Sequence, residues 1–99
     1  MIRGTTPTHT FTLPFDVSQV AKVKIIYAQD DEVVIEKVTN DCELNGTTIT
    51  TTLTQEDTLK FDHKKAVQIQ VRVLTDRKEA LASVIEKVGV SQLLDNEVL

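Results

Sequence analysis

The chain has no tryptophan, one tyrosine, one cysteine, two histidines, three glycines and two prolines among its 99 residues. Each scarcity excludes something. With Cys42 as the only cysteine there is no internal disulfide and no thiolate cluster for zinc. His9 and His63 are the only histidines, and neither has a second donor at a ligand spacing, so no metal site and no cofactor are expected. One Tyr and three Phe leave the core to aliphatic side chains. No apolar run approaches the roughly 18 residues of a membrane span. The opening Met1-Ile2-Arg3-Gly4-Thr5-Thr6-Pro7 lacks the apolar centre of a signal peptide, so the expected location is a cytoplasm, with no membrane partner. A formal charge of −4 and a pI near 5.0 repel a phosphate backbone, which argues against nucleic acid.

What is present is ordinary for a globular domain: 40% hydrophobic and 26% charged residues, in a length suited to one core without a linker. The dominant stretch is Ala66 to Val90. Val67, Ile69, Val71 and Val73 alternate with Gln68, Gln70 and Arg72, the period of a strand with one buried face. Across the polar turn Asp76-Arg77-Lys78-Glu79, the run from Ala80 to Val90 is expected to return as a second strand.

Upstream, Thr8 to Phe15 alternates Thr outward with Phe11 and Leu13 inward until Pro14 ends it. Val20 to Ala28 puts Ala21, Val23, Ile25 and Tyr27 on one face against Lys22 and Lys24, while Ile26 on the polar side marks some cover there. Gln29-Asp30-Asp31-Glu32 is a turn by composition, and Val33 to Thr39 a strand with two possible inward sets, Val33 with Ile35 or Val34 with Val38. Asn45-Gly46 between Cys42–Leu44 and the threonine-rich run 47–54 predicts a type I′ hairpin. Thr54 followed by Asp57 has the spacing of a helix N-cap, with Leu59 and Phe61 placed to close the end of the core.

About seven short strands with turn signals between them predict an all-β protein, an immunoglobulin-like antiparallel β-sandwich with one short helical turn; a small β-barrel is the alternative. Residues 1–7 are expected as a flexible arm, 8–90 as the sandwich and 91–99 as an apolar tail.

Most polar clusters have an ordinary explanation. Cys42 with a histidine would need an orienting acid and an oxyanion pocket, and a buried structural cysteine is the simpler reading. Asp30, Asp31 and Glu32 lack the spaced ligands and glycine of a calcium loop, and Glu56 with Asp57 is accounted for by capping. Lys60, Lys64 and Lys65 beside His63 read as solvated lysines, and the threonine run as a wet strand face. No catalytic residue is expected. The tail differs: Leu93, Leu94, Val98 and Leu99 must fold back on the domain or meet another subunit, which makes them the candidate interaction residues.

Four phrases, Arg3-Gly4-Thr5-Thr6-Pro7-Thr8-His9-Thr10-Phe11, Leu53 to Phe61, Val67 to Val73 and Ala80-Leu81-Ala82-Ser83, carry a resemblance. Over nearly its whole length the chain resembles small uncharacterised proteins encoded among the structural genes of tailed phages and prophages of Firmicutes. The turn Asp76 to Glu79 lacks the glycine expected of such relatives. The resemblance implies a non-enzymatic virion or assembly component of tail, baseplate or neck, partnered by itself or other phage structural proteins, in the bacterial cytoplasm during assembly or in the virion. A stand-alone binding module for carbohydrate or a host protein is the competing expectation.

Overall fold

A computed structural model of the chain describes residues 1–83 and 85–99. In chain order the elements are β1 (Thr8–Thr12), β2 (Val20–Gln29), β3 (Glu32–Val38), β4 (Cys42–Asn45), β5 (Thr48–Thr52), α1 (Gln55–Leu59), β6 (Val67–Thr75), β7 (Ala80–Ala82) and β8 (Glu86–Val88), with single 3-10 turns at Val17–Gln19 and Thr39–Asp41. They form two antiparallel sheets, β1-β5-β4 and β3-β2-β6-β7, with β8 also paired to β6. Among the described residues no strand of one sheet pairs with a strand of the other, so the fold is an open sandwich rather than a barrel. With β1 taken as strand B of an immunoglobulin domain, the sheets read B-E-D and C′-C-F-G, a variable-type order with no strand A among the described residues. Ile2 makes one parallel bridge to Ser91, beyond the last strand, instead of pairing along β1.

The inward rows predicted from alternation meet between the sheets. Val23, Ile25 and Tyr27 of β2 and Val67, Ile69, Val71 and Val73 of β6 are buried against Ile49 and Leu53. Phe11, Leu13 and Leu44 pack around them, half-buried. Phe61 closes the end of the core as expected, at 1% exposure. Thr54 caps α1: its hydroxyl accepts from the Asp57 N–H at 3.0 Å, and the Asp57 carboxylate accepts from the Thr54 N–H at 2.9 Å.

Four expectations are corrected by irregularities in register. Ala21 is exposed, because the β2–β6 pairing shifts between Val20 and Lys22 and drops it from the inward row. On β3 neither inward set holds. The partner of Tyr27 is Ile35 and that of Ala28 is Val33, so Val34 is the extra residue of a bulge: Ile35 is buried, Val34 packs on the core, and Val33 and Val38 face outward. The Asn45-Gly46 turn is displaced by one residue. Asn45 pairs with Thr48, and only Gly46, at φ +59°, has positive φ, the signature of a type II′ turn with Gly46-Thr47 at its centre. The type I′ signature lies instead at Asp30 and Asp31, φ 50° and 63°, which link the paired Gln29 and Glu32.

The return strand from Ala80 is two pieces. Ile69 pairs with Glu86 and Arg72 with Ala82, three residues apart on β6 and four on the return, so one residue is extra between β7 and β8. The Ser83 N–H donates to the Val71 carbonyl, and the Val71 N–H donates to the Ser83 hydroxyl, which holds the break in place. Val84, counted within this strand by the sequence, lies outside the described residues.

The connecting turn explains how the missing glycine is managed. The Lys78 N–H donates to the Thr75 carbonyl and Lys78 itself has φ 63°, the three-residue hairpin whose left-handed position normally takes glycine. A lysine there carries a left-handed cost of about 1–2 kcal/mol, against an entropic cost of about 0.5–1 kcal/mol for glycine. Lys78→Gly is therefore expected to stabilise the fold by on the order of 0.5 kcal/mol, read as a raised denaturant midpoint; a lowered midpoint contradicts this turn geometry.

Candidate functional site

Polar groups inside the sandwich are held by one another. The Tyr27 ring is fully buried, and its hydroxyl lies 2.7 Å from His9 Nδ1. Burial pushes the Tyr27 phenol up, with smaller contributions from Cys42 and Asp57. Burial also lowers the His9 imidazole from its ordinary value of 6.5, which favours the neutral ring, whose tautomer sets whether Nδ1 accepts from the tyrosine hydroxyl or donates to it. His9 alternates with the exposed Thr8 and Thr10 and stands half-buried on the inward face of β1.

Thr51 pairs with His9 on one side and Cys42 on the other, so the cysteine and histidine stand two strands apart, about 9.5 Å. Their side chains are engaged by different partners, His9 by the Tyr27 hydroxyl and Cys42 by the Val38 carbonyl. Cys42 is half-buried and its thiol donates to the Val38 carbonyl at 3.4 Å. Burial pushes the thiol pKa up, outweighing the Thr51 hydrogen bond, which disfavours thiolate. Among the described residues no group of three or more His, Cys, Asp or Glu side chains is arranged to hold a metal ion.

Lys37 of β3 and Asp57 of α1 form an ion pair at 2.8 Å with side chains 15% and 14% exposed, bridging one sheet to the helical corner that leaves the other. Burial acts to raise the Asp57 carboxyl, but the Lys37 ammonium and the Thr54 N–H outweigh it and hold the pKa below the usual carboxylate range. Gln29 does similar work at the other end of β2. Its amide donates to the carbonyls of Asp62 and Lys65 and accepts from the Asp62 N–H, fixing the loop that leads into β6. These groups serve the fold by tying its segments to one another.

The tail offers unspent apolar surface. It is tied to the N-terminal residues through the backbone: the Met1 ammonium donates to the Gly89 carbonyl, the Ser91 N–H to the Met1 carbonyl, and the Arg3 N–H to the Ser91 carbonyl. The Arg3 guanidinium then reaches both the Leu59 carbonyl at 2.8 Å and Asn96 Oδ1 at 2.9 Å. Gly4, at φ +73°, passes so close to Leu93 that a Cβ would sit 2.5 Å from Leu93 Cδ2. Further on, the Leu99 N–H donates to Gln55 Oε1 at 2.7 Å.

Of the four candidate residues, then, Leu93 is half-buried in the seam with the N-terminal segment. The other three are displayed: Leu94 is 97% exposed, Val98 50% and Leu99 101%. Ile2, 50% exposed, belongs to the same end of the molecule through its bridge to Ser91.

His9 gives this interior a pH dependence whose sign is fixed. A base with a lowered folded pKa contributes stability that is present above its unfolded value of 6.5 and is lost as pH falls below it, because the unfolded chain takes the proton first. Thermal unfolding is expected to show a fall in stability as pH drops below 6.5 that His9→Gln removes. Parallel pH profiles for the two chains would contradict the His9–Tyr27 account.

No helix among the described residues is long and apolar enough to cross a membrane. The chain matches no family model, no curated protein and no solved structure.

Proposed function

We propose that the chain is a non-enzymatic structural or assembly protein of a tailed phage or prophage, a building block of tail, baseplate or neck that acts through contacts with copies of itself or with other virion proteins. The observation that carries this reading is the tail: it is fastened through the backbone at Gly89, Ser91 and Leu99 and through the side chain of Asn96, while Leu94, Val98 and Leu99 project into solvent. A hydrophobic segment held in place but uncovered fits a surface that another subunit buries. The resemblance of its phrases to proteins encoded among phage structural genes agrees with that role. Assembly would take place in the bacterial cytoplasm, with the product retained in the virion.

A binding module for a host protein draws on a different observation. The outer face of the larger sheet carries a groove of about 430 Å³ in which Lys22, Lys24 and Arg72 stand around Val38, Leu74 and Leu81. Such a groove fits an acidic partner, and a protein working that way has no need of its tail for assembly.

Light scattering on the purified chain, with and without Leu93 to Leu99, separates the two. The building-block reading expects a multimer whose mass falls on truncation. A mass unchanged by truncation, monomeric or not, contradicts the role given to the tail.

A further inference from the structure

Among the described residues the smaller sheet ends on β1, whose outer edge is paired by no strand. Its hydrogen-bond phase is fixed at both ends: the Leu13 N–H donates to the Thr47 carbonyl, and the Leu53 N–H to the Pro7 carbonyl. Odd-numbered residues of β1 therefore direct their backbone groups to β5. The N–H and C=O groups of Thr8, Thr10 and Thr12 point away from it, toward the open edge.

The other outer strands are guarded. β3 carries Glu32, Glu36 and Lys37 and a bulge at Val34; β4 is four residues long and holds Glu43; the β7–β8 side is broken in register and holds Glu86 and Lys87. β1 has five residues, Thr-His-Thr-Phe-Thr, with no charge and an unbroken register. Charges and bulges are usual protections of an edge, and the five paired residues of β1 carry neither.

We infer that the β1 edge pairs with β1 of a second copy of this chain, antiparallel about a two-fold axis through Thr10. The register is self-complementary. Thr8 faces the partner's Thr12, Thr10 faces the partner's Thr10, and the outward N–H and C=O groups of all three residues on each strand are satisfied together. The side chains agree. On the wet face Thr8 bonds Thr52 at 2.9 Å and Thr10 bonds Thr50 at 3.2 Å, and the new pairing continues that threonine ladder across the dimer. On the inner face His9 comes opposite the partner's Phe11, extending the His9–Phe11 edge contact already within the strand. Pro7 and Pro14 bracket the strand and limit pairing to these five residues. The result is a continuous sheet β4-β5-β1 joined to its copy.

This deepens the building-block reading and rests on it for its purpose, but it names a different contact from the tail. The test combines solution mass with amide hydrogen exchange of the full chain across micromolar to millimolar concentration. Expected are slow exchange at Thr8, Thr10 and Thr12 that grows with concentration, and a lower mass for Thr10→Pro and for Thr10→Lys, with thermal unfolding showing that each variant still folds. Removing Leu93 to Leu99 should leave the protection of these three amides in place. A multimer in which they exchange as open amides, or whose mass ignores both Thr10 variants, overturns this inference and leaves the building-block reading standing. A monomer at every concentration overturns this inference and, with it, the self-assembling form of the building-block reading.

Discussion

The pairing of β2 with β6 is the constraint from which the rest of the molecule is arranged. It is the longest ladder in the structure, running from Val20 opposite Thr75 to Ala28 opposite Gln68. The two strands are joined by a long connection holding three other strands and a helix, so their pairing encloses the whole of that connection. Their inward rows, Val23-Ile25-Tyr27 and Val67-Ile69-Val71-Val73, supply much of the buried apolar surface. β3 then adds to one side and β7 with β8 to the other, while the sheet of β1, β5 and β4 covers the apolar face.

Around that ladder, polar side chains do the positioning that aromatic bulk does in other sandwiches. Tyr27 occupies strand C, where immunoglobulin domains carry a buried tryptophan, and its hydroxyl finds its partner across the sandwich in His9. Gln29 fastens the entry to β6, Lys37 and Asp57 join sheet to corner, and buried Thr58 places its hydroxyl 2.9 Å from the Thr5 carbonyl, joining the corner to the N-terminal segment. Each side chain makes contact with a segment distant in sequence, so one core with little aromatic content still specifies where its loops lie.

Much of this was legible from the residues. Alternation located the strands and most of the inward rows, since a face buried on one side leaves a period of two, and the Thr54–Asp57 cap was readable from spacing alone. What alternation cannot carry is a one-residue insertion whose place is decided by the partner strand. Ala21, Val34 and the break after Ala82 are all of that kind, as is the shift that gives Gly46-Thr47 rather than Asn45-Gly46 the centre of its turn. The histidine contact was hidden for a similar reason: Tyr27 lies on the opposite sheet, and nothing local to His9 announces it. The tail has no period, and only the structure divides Leu93 in the seam from Leu94, Val98 and Leu99 outside it.

The β2–β6 ladder is expected to be the last part of the molecule to open, with the short pieces β7 and β8 more weakly held. Native-state hydrogen exchange measures this directly. The prediction is that amides of the paired stretch around Ile25 and Val71 exchange only through global unfolding, while those of β7 and β8 exchange through local opening at lower free energy. If the amides around Ile25 and Val71 exchange as readily as those at the ends of the chain, the two strands do not form the centre of this fold and the sandwich described is wrong.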